Sequence, residues 1–157
     1  MNVCLGGTFD PLHKGHRLLF DTALDLLKGD TLFVGVTSDD LARGTREGAN
    51  IRDHSERCSD VEGYLGNKDA TFKIVMIDKP TGIAHEDPVL DAIVVSPETF
   101  PQAQVINLER EKRGLGKLAI FIVDLVSDPK GRIIRGTHIR AGEMDEEGKA
   151  VNDRELG

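Results

Sequence analysis

Apolar residues along this chain fall into two patterns: short continuous runs, and longer stretches in which they recur every three or four positions. The continuous runs are bounded by glycine, proline or charged residues, and they predict buried strands at residues 1–5, 31–37, 71–77, 92–95 and 117–126. The spaced stretches predict helices over residues 14–28 and 55–65, and a third from the N-cap candidate Ser96, with Pro97 next, to about Arg113. Strands and helices therefore alternate along the chain.

This alternation predicts an α/β fold: a single-domain, doubly wound, Rossmann-like sandwich with a mainly parallel five-stranded sheet. The run at 117–126 is almost continuously apolar, which is typical of a parallel strand covered by helices on both faces. A length of 157 residues fits one domain. We expect that domain to occupy residues 1–142, and the acidic residues 143–157 to form a C-terminal tail or capping segment.

Composition excludes several classes of function. The formal net charge of −7 argues against a protein that coats nucleic acid, because neutralising phosphates requires a surplus of lysine and arginine. No stretch approaches the roughly 20 apolar residues of a membrane span, and the first residues lack the features of a secretory signal. We therefore expect a cytoplasmic protein without nucleic-acid or membrane partners. Cys4 and Cys58 form neither a metal-binding pair nor a disulfide framework, and we expect Cys4 to be buried.

The segment after the first strand is where a doubly wound fold predicts its ligand site, beyond the carboxyl ends of the strands. Residues 6–16 have the sequence GGTFDPLHKGH, which lacks both the glycine order of dinucleotide-binding proteins and the lysine of a P-loop. The segment offers instead a hydroxyl at Thr8 and free turn amides around Gly6, Gly7 and Phe9. These groups predict a phosphate-binding turn.

His13 and His16 flank Gly15 at the start of the first predicted helix. A spacing of three places both imidazoles on one helix face, where they and the positive helix end can reach one phosphoryl group. Gly15 leaves room for a nucleotide to lie close. The alternatives are surface histidines without a function and half of a metal site. The remaining histidines lack the cysteine or glutamate spacing of a metal site, so we predict no protein-bound metal.

The same segment resembles the T/HxGH signature of the nucleotidylyltransferase superfamily, and its residue sequence is most similar to that of the archaeal-type phosphopantetheine adenylyltransferases. The similarity continues through VGVTSDD, DAIVVSPET, the following helix with Asn107 and Arg110, and THIRAGEMDEEG. It implies transfer of the adenylyl group of ATP to 4'-phosphopantetheine, giving dephospho-coenzyme A and pyrophosphate in coenzyme A biosynthesis. The acceptor phosphate would attack the α-phosphate directly and in line, without a covalent enzyme intermediate.

Several site roles follow from the resemblance. It implies that His16 contacts the α-phosphate as charge builds up in the transition state, and that His13 helps to hold the triphosphate. Thr8 would orient the attacking phosphate. Arg43 lies in the segment after the second strand, and it is the basic residue expected to help neutralise the reacting phosphates. The alternative interpretation is that Arg43 is a solvated loop residue without a role in the site.

A second phosphate-binding segment is implied at residues 134–140, where the family has a serine- and threonine-rich helix start. Thr137 and Arg140 match the family pattern, but Arg135 and Gly136 replace the usual serine pair. Arg135 could compensate through its charge, and Gly136 still lets backbone amides approach a phosphate. We therefore predict triphosphate contacts from all of these positions.

The nucleoside and the metal ion complete the predicted site. Ser96 and Glu98 follow the fourth strand and are expected to line the adenine or ribose pocket, although Ser96 could equally be a plain helix N-cap. Mg²⁺ is expected to enter with the triphosphate, because it keeps several waters and binds substrate oxygens in preference to a protein cage.

Two other functions remain open at this level. Sister branches of the superfamily use CTP with a polyol phosphate or choline phosphate, or ATP with a flavin or nicotinamide mononucleotide. The altered Arg135 and Gly136 pair also allows a nucleotide-binding sensor that keeps the pocket but has lost turnover.

Overall fold

The computed structural model describes residues 1–44, 50–127, 130–131, 133–134, 139 and 144–148. Within them, the strands are β1 (Val3–Gly7), β2 (Thr31–Thr37), β3 (Thr71–Ile77), β4 (Ala92–Val95) and β5 (Ala119–Ile122). The helices are α1 (Lys14–Leu27), α2 (Asp39–Ala42), α3 (His54–Leu65) and α4 (Phe100–Lys112). All strand pairings are parallel, in the order β3-β2-β1-β4-β5, which confirms the predicted doubly wound α/β sandwich.

Apolar cores cover both faces of the sheet, because successive side chains of a strand point in opposite directions. In β1, Val3 and Leu5 pack in the core beneath α1 and α3, whereas Cys4 packs in the core beneath α4. Cys4 is 7% exposed, so its expected burial is confirmed. The first helix also ends as predicted, since Lys28 adopts the left-handed conformation at φ 46° and Gly29 follows at φ 95°.

The glycines of the first motif do not form the predicted turn. Gly6 and Gly7 are the last residues of β1, and they pair with Gly35 and Val36 of β2. Side chains lie close over both glycines: a Cβ at Gly6 would lie 3.0 Å from Ile77 Cδ1, and one at Gly7 would lie 2.9 Å from Phe9 Cζ. The strand therefore continues through residues that ordinarily signal its end, and the turn begins after them.

The predicted start of α4 is also wrong. Residues 96–99 form a turn in which the Ser96 carbonyl oxygen accepts from Phe100 N at 2.9 Å, and Thr99 Oγ1 accepts from Ser96 N at 3.0 Å. Thr99 is the N-cap, and Pro101 occupies the first helical turn in place of Pro97. Both prolines lack an N–H, so either could begin the helix, and the turn selects the later one.

The last strand is shorter than its apolar run. The four residues of β5 pair with the four residues of β4, from Ala92 with Ala119 to Val95 with Ile122. A strand can extend only as far as its neighbour offers hydrogen-bonding groups. The remainder of the predicted run at 117–126 therefore flanks the strand.

Candidate active site

The residues of the T/HxGH motif lie where β1 ends and α1 begins. Thr8 follows directly after the strand, and Phe9 turns the chain with a positive φ of 55°, a conformation that side chains with a Cβ seldom adopt. The Phe9 side chain is 1% exposed and stacks on Phe20 with ring centroids 5.3 Å apart, while His16 lies against it edge-on at 4.9 Å. Phe9 thus anchors the turn in the core, and any contact that it makes with a nucleotide would come from its backbone.

His13 and His16 stack on each other with their ring centroids 3.7 Å apart. His13 is the N-cap of α1, and its Nδ1 accepts from Gly15 N at 3.1 Å. The Nδ1 of His16 accepts from His13 N at 3.2 Å. A neutral imidazole whose Nδ1 is an acceptor carries its hydrogen on Nε2. Both rings are therefore fixed as Nε2–H donors, on one face as the spacing predicted.

Both histidines are held in the neutral form. Burial, together with the positive charge of Arg17, lowers the pKa of His13 to about 4. Burial also lowers the pKa of His16 well below its ordinary value, with smaller contributions from His13 and Arg17. At neutral pH the pair therefore offers two uncharged N–H donors, which can stabilise a phosphate oxygen without gaining or losing a proton.

Backbone amides at the start of α1 are already bonded, which changes the predicted mode of phosphate binding. His13 N and Gly15 N donate to the imidazoles, and Lys14 N donates to the carbonyl oxygen of Glu146 at 2.9 Å. A Cβ at Gly15 would lie 2.9 Å from His13 Cε1. Gly15 thus makes room for the His13 ring, where the sequence suggested room for a nucleotide. At this helix start, the Nε2–H groups of the two imidazoles can donate to a phosphate.

Part of the predicted C-terminal tail packs beside these histidines. Met144 is 1% exposed, and Glu147 forms an ion pair with Arg17 of α1. Together with the hydrogen bond from Lys14 to Glu146, these contacts hold residues 144–148 against the first turn of the helix. The domain boundary at residue 142 stays a prediction, but the residues directly beyond it contribute to the surroundings of the motif.

A buried arginine that the sequence analysis missed connects the loops around Thr8. Arg57 of α3 is 0% exposed, and its Nη1 donates to the Thr8 carbonyl oxygen and to Thr37 Oγ1, both at 3.1 Å. Its Nη2 donates to Asp39 Oδ1 at 3.0 Å, and its Nε to the Arg52 carbonyl oxygen at 2.8 Å. The signal in the sequence was its spacing, because residues 57, 61 and 65 form the apolar face of α3 and an arginine there is out of place.

The carboxylate of the motif is also bound by an arginine. Asp10 is 4% exposed, and its Oδ1 accepts from Arg52 Nε at 2.6 Å while its Oδ2 accepts from Arg52 N at 3.2 Å. Arg52 pairs with Asp60 of α3 as well. Asp10 therefore fixes the turn to the segment that precedes α3.

Arg43, the predicted basic residue of the site, is engaged by the loop around it. Its Nη2 donates to the Ile51 carbonyl oxygen at 2.7 Å and to Asp53 Oδ1 at 2.9 Å, and Asp39 lies at 3.8 Å from Nη1. The carboxylates raise its pKa and offset its charge. A role for Arg43 in phosphate neutralisation stays a prediction, and it would require the guanidinium to exchange these partners for the substrate.

The remaining predicted residues fall into two groups. Ser96 and Glu98 lie in the turn after β4, at the carboxyl edge of the sheet as expected, and their contacts with a nucleoside stay predictions. The predicted C-terminal phosphate contacts lie outside the described residues: these are Arg135, Gly136, Thr137 and Arg140.

A cavity of about 240 Å³ opens at the carboxyl edge of the sheet, on the face covered by α4. Its walls are mainly apolar and come from the sheet, α4 and the loops beside them, including Cys4, Phe33, Ile93 and Ile106. Polar groups border it as well: Thr37, Thr81, Thr99 and Gln102. Thr37, which borders the cavity, donates through its Oγ1 to Thr8 Oγ1 at 3.0 Å.

Two classes of feature are missing from the part of the chain that the structure describes. It contains no group of three or more histidine, cysteine or acidic residues arranged to hold a metal ion. None of its helices has the length and apolar character needed to cross a membrane.

Known proteins are similar to this chain in both sequence and fold. The chain matches the family described as cytidylyltransferase-like over residues 4–142. The phosphopantetheine adenylyltransferase of Methanothermobacter thermautotrophicus is 43% identical over 149 residues, covering 95% of this chain and 88% of the relative. That of Archaeoglobus fulgidus is 39% identical over 152 residues, covering 96% of this chain and 100% of the relative. A crystal structure of a protein of unknown function from the same organism has a TM-score of 0.68 at 39% identity, covering 78% of this chain and 98% of that chain.

The strand order, the histidine pair and the sequence similarity all indicate the same family. The identity to each of the two curated relatives extends over more than nine-tenths of this chain, so it includes both the motif and the sheet that carries it. The chain therefore belongs to the cytidylyltransferase-like family and, within it, to the archaeal phosphopantetheine adenylyltransferases.

Proposed function

We propose that this protein transfers the adenylyl group of ATP to 4'-phosphopantetheine, releasing pyrophosphate and forming dephospho-coenzyme A. An oxygen of the acceptor phosphate attacks the α-phosphorus of ATP, a new P–O bond forms, and the bond to the β-phosphate breaks. Relatives of this chain carry that activity in their names. Both substrates are small soluble molecules, which supports a cytoplasmic enzyme without a nucleic-acid or membrane partner.

The observation that carries the choice of acceptor is the cavity beside Thr8. Pantetheine is a narrow, flexible arm with a dimethyl group, two amides and a terminal thiol, so it needs an apolar channel with a few polar contacts. The cavity combines mainly apolar walls with the hydroxyls of Thr37, Thr81 and Thr99 and the amide of Gln102. An arm inside it would leave the acceptor phosphate at the cavity mouth, next to the Thr8 hydroxyl.

Catalysis at this site rests on positioning and on neutral donors. We assign His16 Nε2–H to an oxygen of the α-phosphate, where negative charge grows as the acceptor attacks. His13, stacked on it at 3.7 Å, supplies a second Nε2–H to the triphosphate. Their lowered pKa values keep both rings uncharged donors, so no proton has to move during the transfer.

We further propose that ATP enters as its magnesium complex. The described residues offer no cluster of metal ligands, and the motif carboxylate of Asp10 is held by Arg52. These residues fit an ion that is carried by the phosphate oxygens and water of the substrate.

The test is a product assay with purified protein, ATP, 4'-phosphopantetheine and magnesium chloride, in which dephospho-coenzyme A is identified by mass and pyrophosphate is quantified. His16→Ala provides the matched control for contaminating activity. We expect product with this substrate pair and none from CTP with a polyol phosphate or choline phosphate, or from ATP with flavin or nicotinamide mononucleotide.

Turnover only with another pair would overturn the proposed acceptor. ATP binding without any turnover, measured by calorimetry on the same preparation, would favour the nucleotide sensor.

A further inference from the structure

We propose that Arg57 is a positioning residue that fixes the direction of the hydrogen bond between Thr37 and Thr8, so that the Thr8 hydroxyl presents its hydrogen to the acceptor phosphate. This inference rests on the proposed function, because it assigns Thr8 to that phosphate. It adds a residue from α3, which is remote in sequence from the T/HxGH motif.

The direction follows from the inventory of donors and acceptors. A guanidinium can only donate hydrogen bonds, whereas a hydroxyl has one hydrogen and can also accept. Arg57 Nη1 lies 3.1 Å from Thr37 Oγ1, so Thr37 must accept from it. The Thr37 hydrogen is then directed to Thr8 Oγ1 at 3.0 Å. Thr8 in turn accepts from Thr37, and its own hydrogen is left for a phosphate oxygen.

The position of Thr8 is fixed by the same side chain. Arg57 Nη1 also donates to the Thr8 carbonyl oxygen at 3.1 Å, so the backbone and the hydroxyl of Thr8 are both tied to one guanidinium. Asp39 Oδ1, which accepts from Arg57 Nη2 at 3.0 Å and from His54 N at 2.8 Å, offsets the buried charge and holds the guanidinium in place. The guanidinium turns the Thr37 hydrogen away from itself and towards Thr8. Without Arg57, Thr8 could donate to Thr37 and would then no longer donate to the substrate.

The arrangement has a further electrostatic consequence. A positive group buried behind two hydroxyls polarises both of them toward donation, because hydrogen bonds in a chain reinforce one another. Arg57 is 0% exposed, so water screens this effect little. The positive charge of Arg57 therefore strengthens the hydrogen bond from Thr8 to the acceptor phosphate, by polarising first Thr37 and then Thr8.

A double-mutant cycle between Thr37 and Thr8 tests the proposal with little risk to the fold. Thr37→Val removes the hydroxyl while keeping the side-chain shape, and we expect it to lower kcat with phosphopantetheine about tenfold. Thr37→Ser restores the hydroxyl and should recover most of that loss. In a Thr8→Val background, Thr37→Val should have almost no further effect, because the hydrogen that it directs is already absent.

Arg57→Lys extends the cycle to the arginine itself. One ammonium cannot reach Thr37 Oγ1, the Thr8 carbonyl oxygen and Asp39 together, so we expect a loss similar to that of Thr37→Val, again absent in the Thr8→Val background. Thermal unfolding of every variant separates a loss of fold from a loss of positioning. If Arg57→Lys does not fold, the Thr37 pair of variants decides the question.

Effects of Thr37→Val and Thr8→Val that simply multiply would overturn the proposal, as would failure of Thr37→Ser to recover activity. The same cycle is measured in the Kd for 4'-phosphopantetheine. A wild-type protein that binds this acceptor without forming product contradicts the proposed function, while coupling in Kd still judges the hydrogen-bond direction. An active wild type with uncoupled residues contradicts the positioning role alone.

Discussion

The Nδ1 atom of His16 accepts a hydrogen bond from the backbone N–H of His13 at 3.2 Å, while His13 uses its own Nδ1 to cap the same helix. The two histidines therefore satisfy helix-start amides and, by the same bonds, fix which ring nitrogen carries the hydrogen. In this motif the same two hydrogen bonds cap α1 and orient the two Nε2–H donors.

Replacing His16 removes both its Nε2–H donor and the hydrogen bond that it accepts from His13 N, and two measurements separate these effects. We expect His16→Ala to lower kcat by about 100- to 1000-fold, which is typical for removal of one preorganised donor to developing charge. The lost hydrogen bond to His13 N should cost about 1 kcal/mol of the free energy of unfolding. Steady-state kinetics and urea unfolding measure the two effects. His16→Gln, which keeps a side-chain N–H, is the control, and a kcat near that of the wild type in His16→Ala would contradict the role of His16.

Acidification should destabilise the protein through the neutral histidines. Below the ordinary pKa of 6.5 the unfolded chain takes up protons on His13, whereas the folded chain resists because its pKa is about 4. The unfolded state thus binds more protons across this window, so the free energy of unfolding falls as pH is lowered from 6.5 towards 4. The loss from His13 alone is on the order of 3 kcal/mol.

Carboxylates also titrate in acid, so this effect is best measured as a difference between two proteins. His13→Asn keeps a good N-cap but does not titrate, and its stability should fall less steeply between pH 6.5 and 4 than that of the wild type. Parallel pH dependences for the two proteins would show that His13 is protonated equally in both states.

Arg57 should be among the most costly residues to remove. We expect Arg57→Leu to lower the free energy of unfolding by about 2–4 kcal/mol, because it leaves the carbonyl oxygens of Thr8 and Arg52 without their hydrogen-bond donor. Urea unfolding measures the change. Lys112→Gln at an exposed helix position is the control and should change stability by less than about 0.5 kcal/mol. Similar effects of the two substitutions would contradict the structural role of Arg57.

Filling the cavity with a larger side chain should change the KM for phosphopantetheine and leave ATP binding unchanged. Ala103 is 1% exposed and lines the cavity from α4. Ala103→Leu adds three carbon atoms there, so it should raise the KM for phosphopantetheine by at least about tenfold, which is the lower end of the effect of one methylene in an apolar pocket. The Kd for ATP, measured by calorimetry, should remain unchanged.

Val105→Leu, on the exposed face of the same helix, is the matched control for this experiment. If Ala103→Leu raised the Kd for ATP and left the KM for phosphopantetheine unchanged, the pantetheine arm would not bind in this cavity.

The layers of the fold could be predicted from the sequence because strand and helix periodicities are local. The errors came from tertiary contacts: Gly6 and Gly7 remain in β1 because they pair with Gly35 and Val36 of β2, and the side chains of Ile77 and Phe9 lie close over them. Spacing places residue 57 on the buried face of α3, but the partners of Arg57 at Thr8, Thr37 and Asp39 come from other parts of the chain. No spacing along the chain records such convergence.

The candidate site divides in the same way. The histidine pair was predictable because residues three apart on a helix must be neighbours, and its stacking at 3.7 Å confirms that prediction. The tautomers and lowered pKa values were not predictable, since they depend on burial and on the bonds at Nδ1. The cavity was not predictable either, because its walls combine residues from Cys4 to Ile106.

The hydrogen bond from Lys14 to Glu146 joins the first helix to one of the last described segments of the chain. During synthesis on a ribosome, β1 and α1 emerge early, but this bond and the ion pair of Arg17 with Glu147 must wait until residues 146 and 147 have left the exit tunnel. The surroundings of the histidine pair are therefore completed late, after the sheet has been made. A nascent chain carries the T/HxGH motif long before it has the finished site.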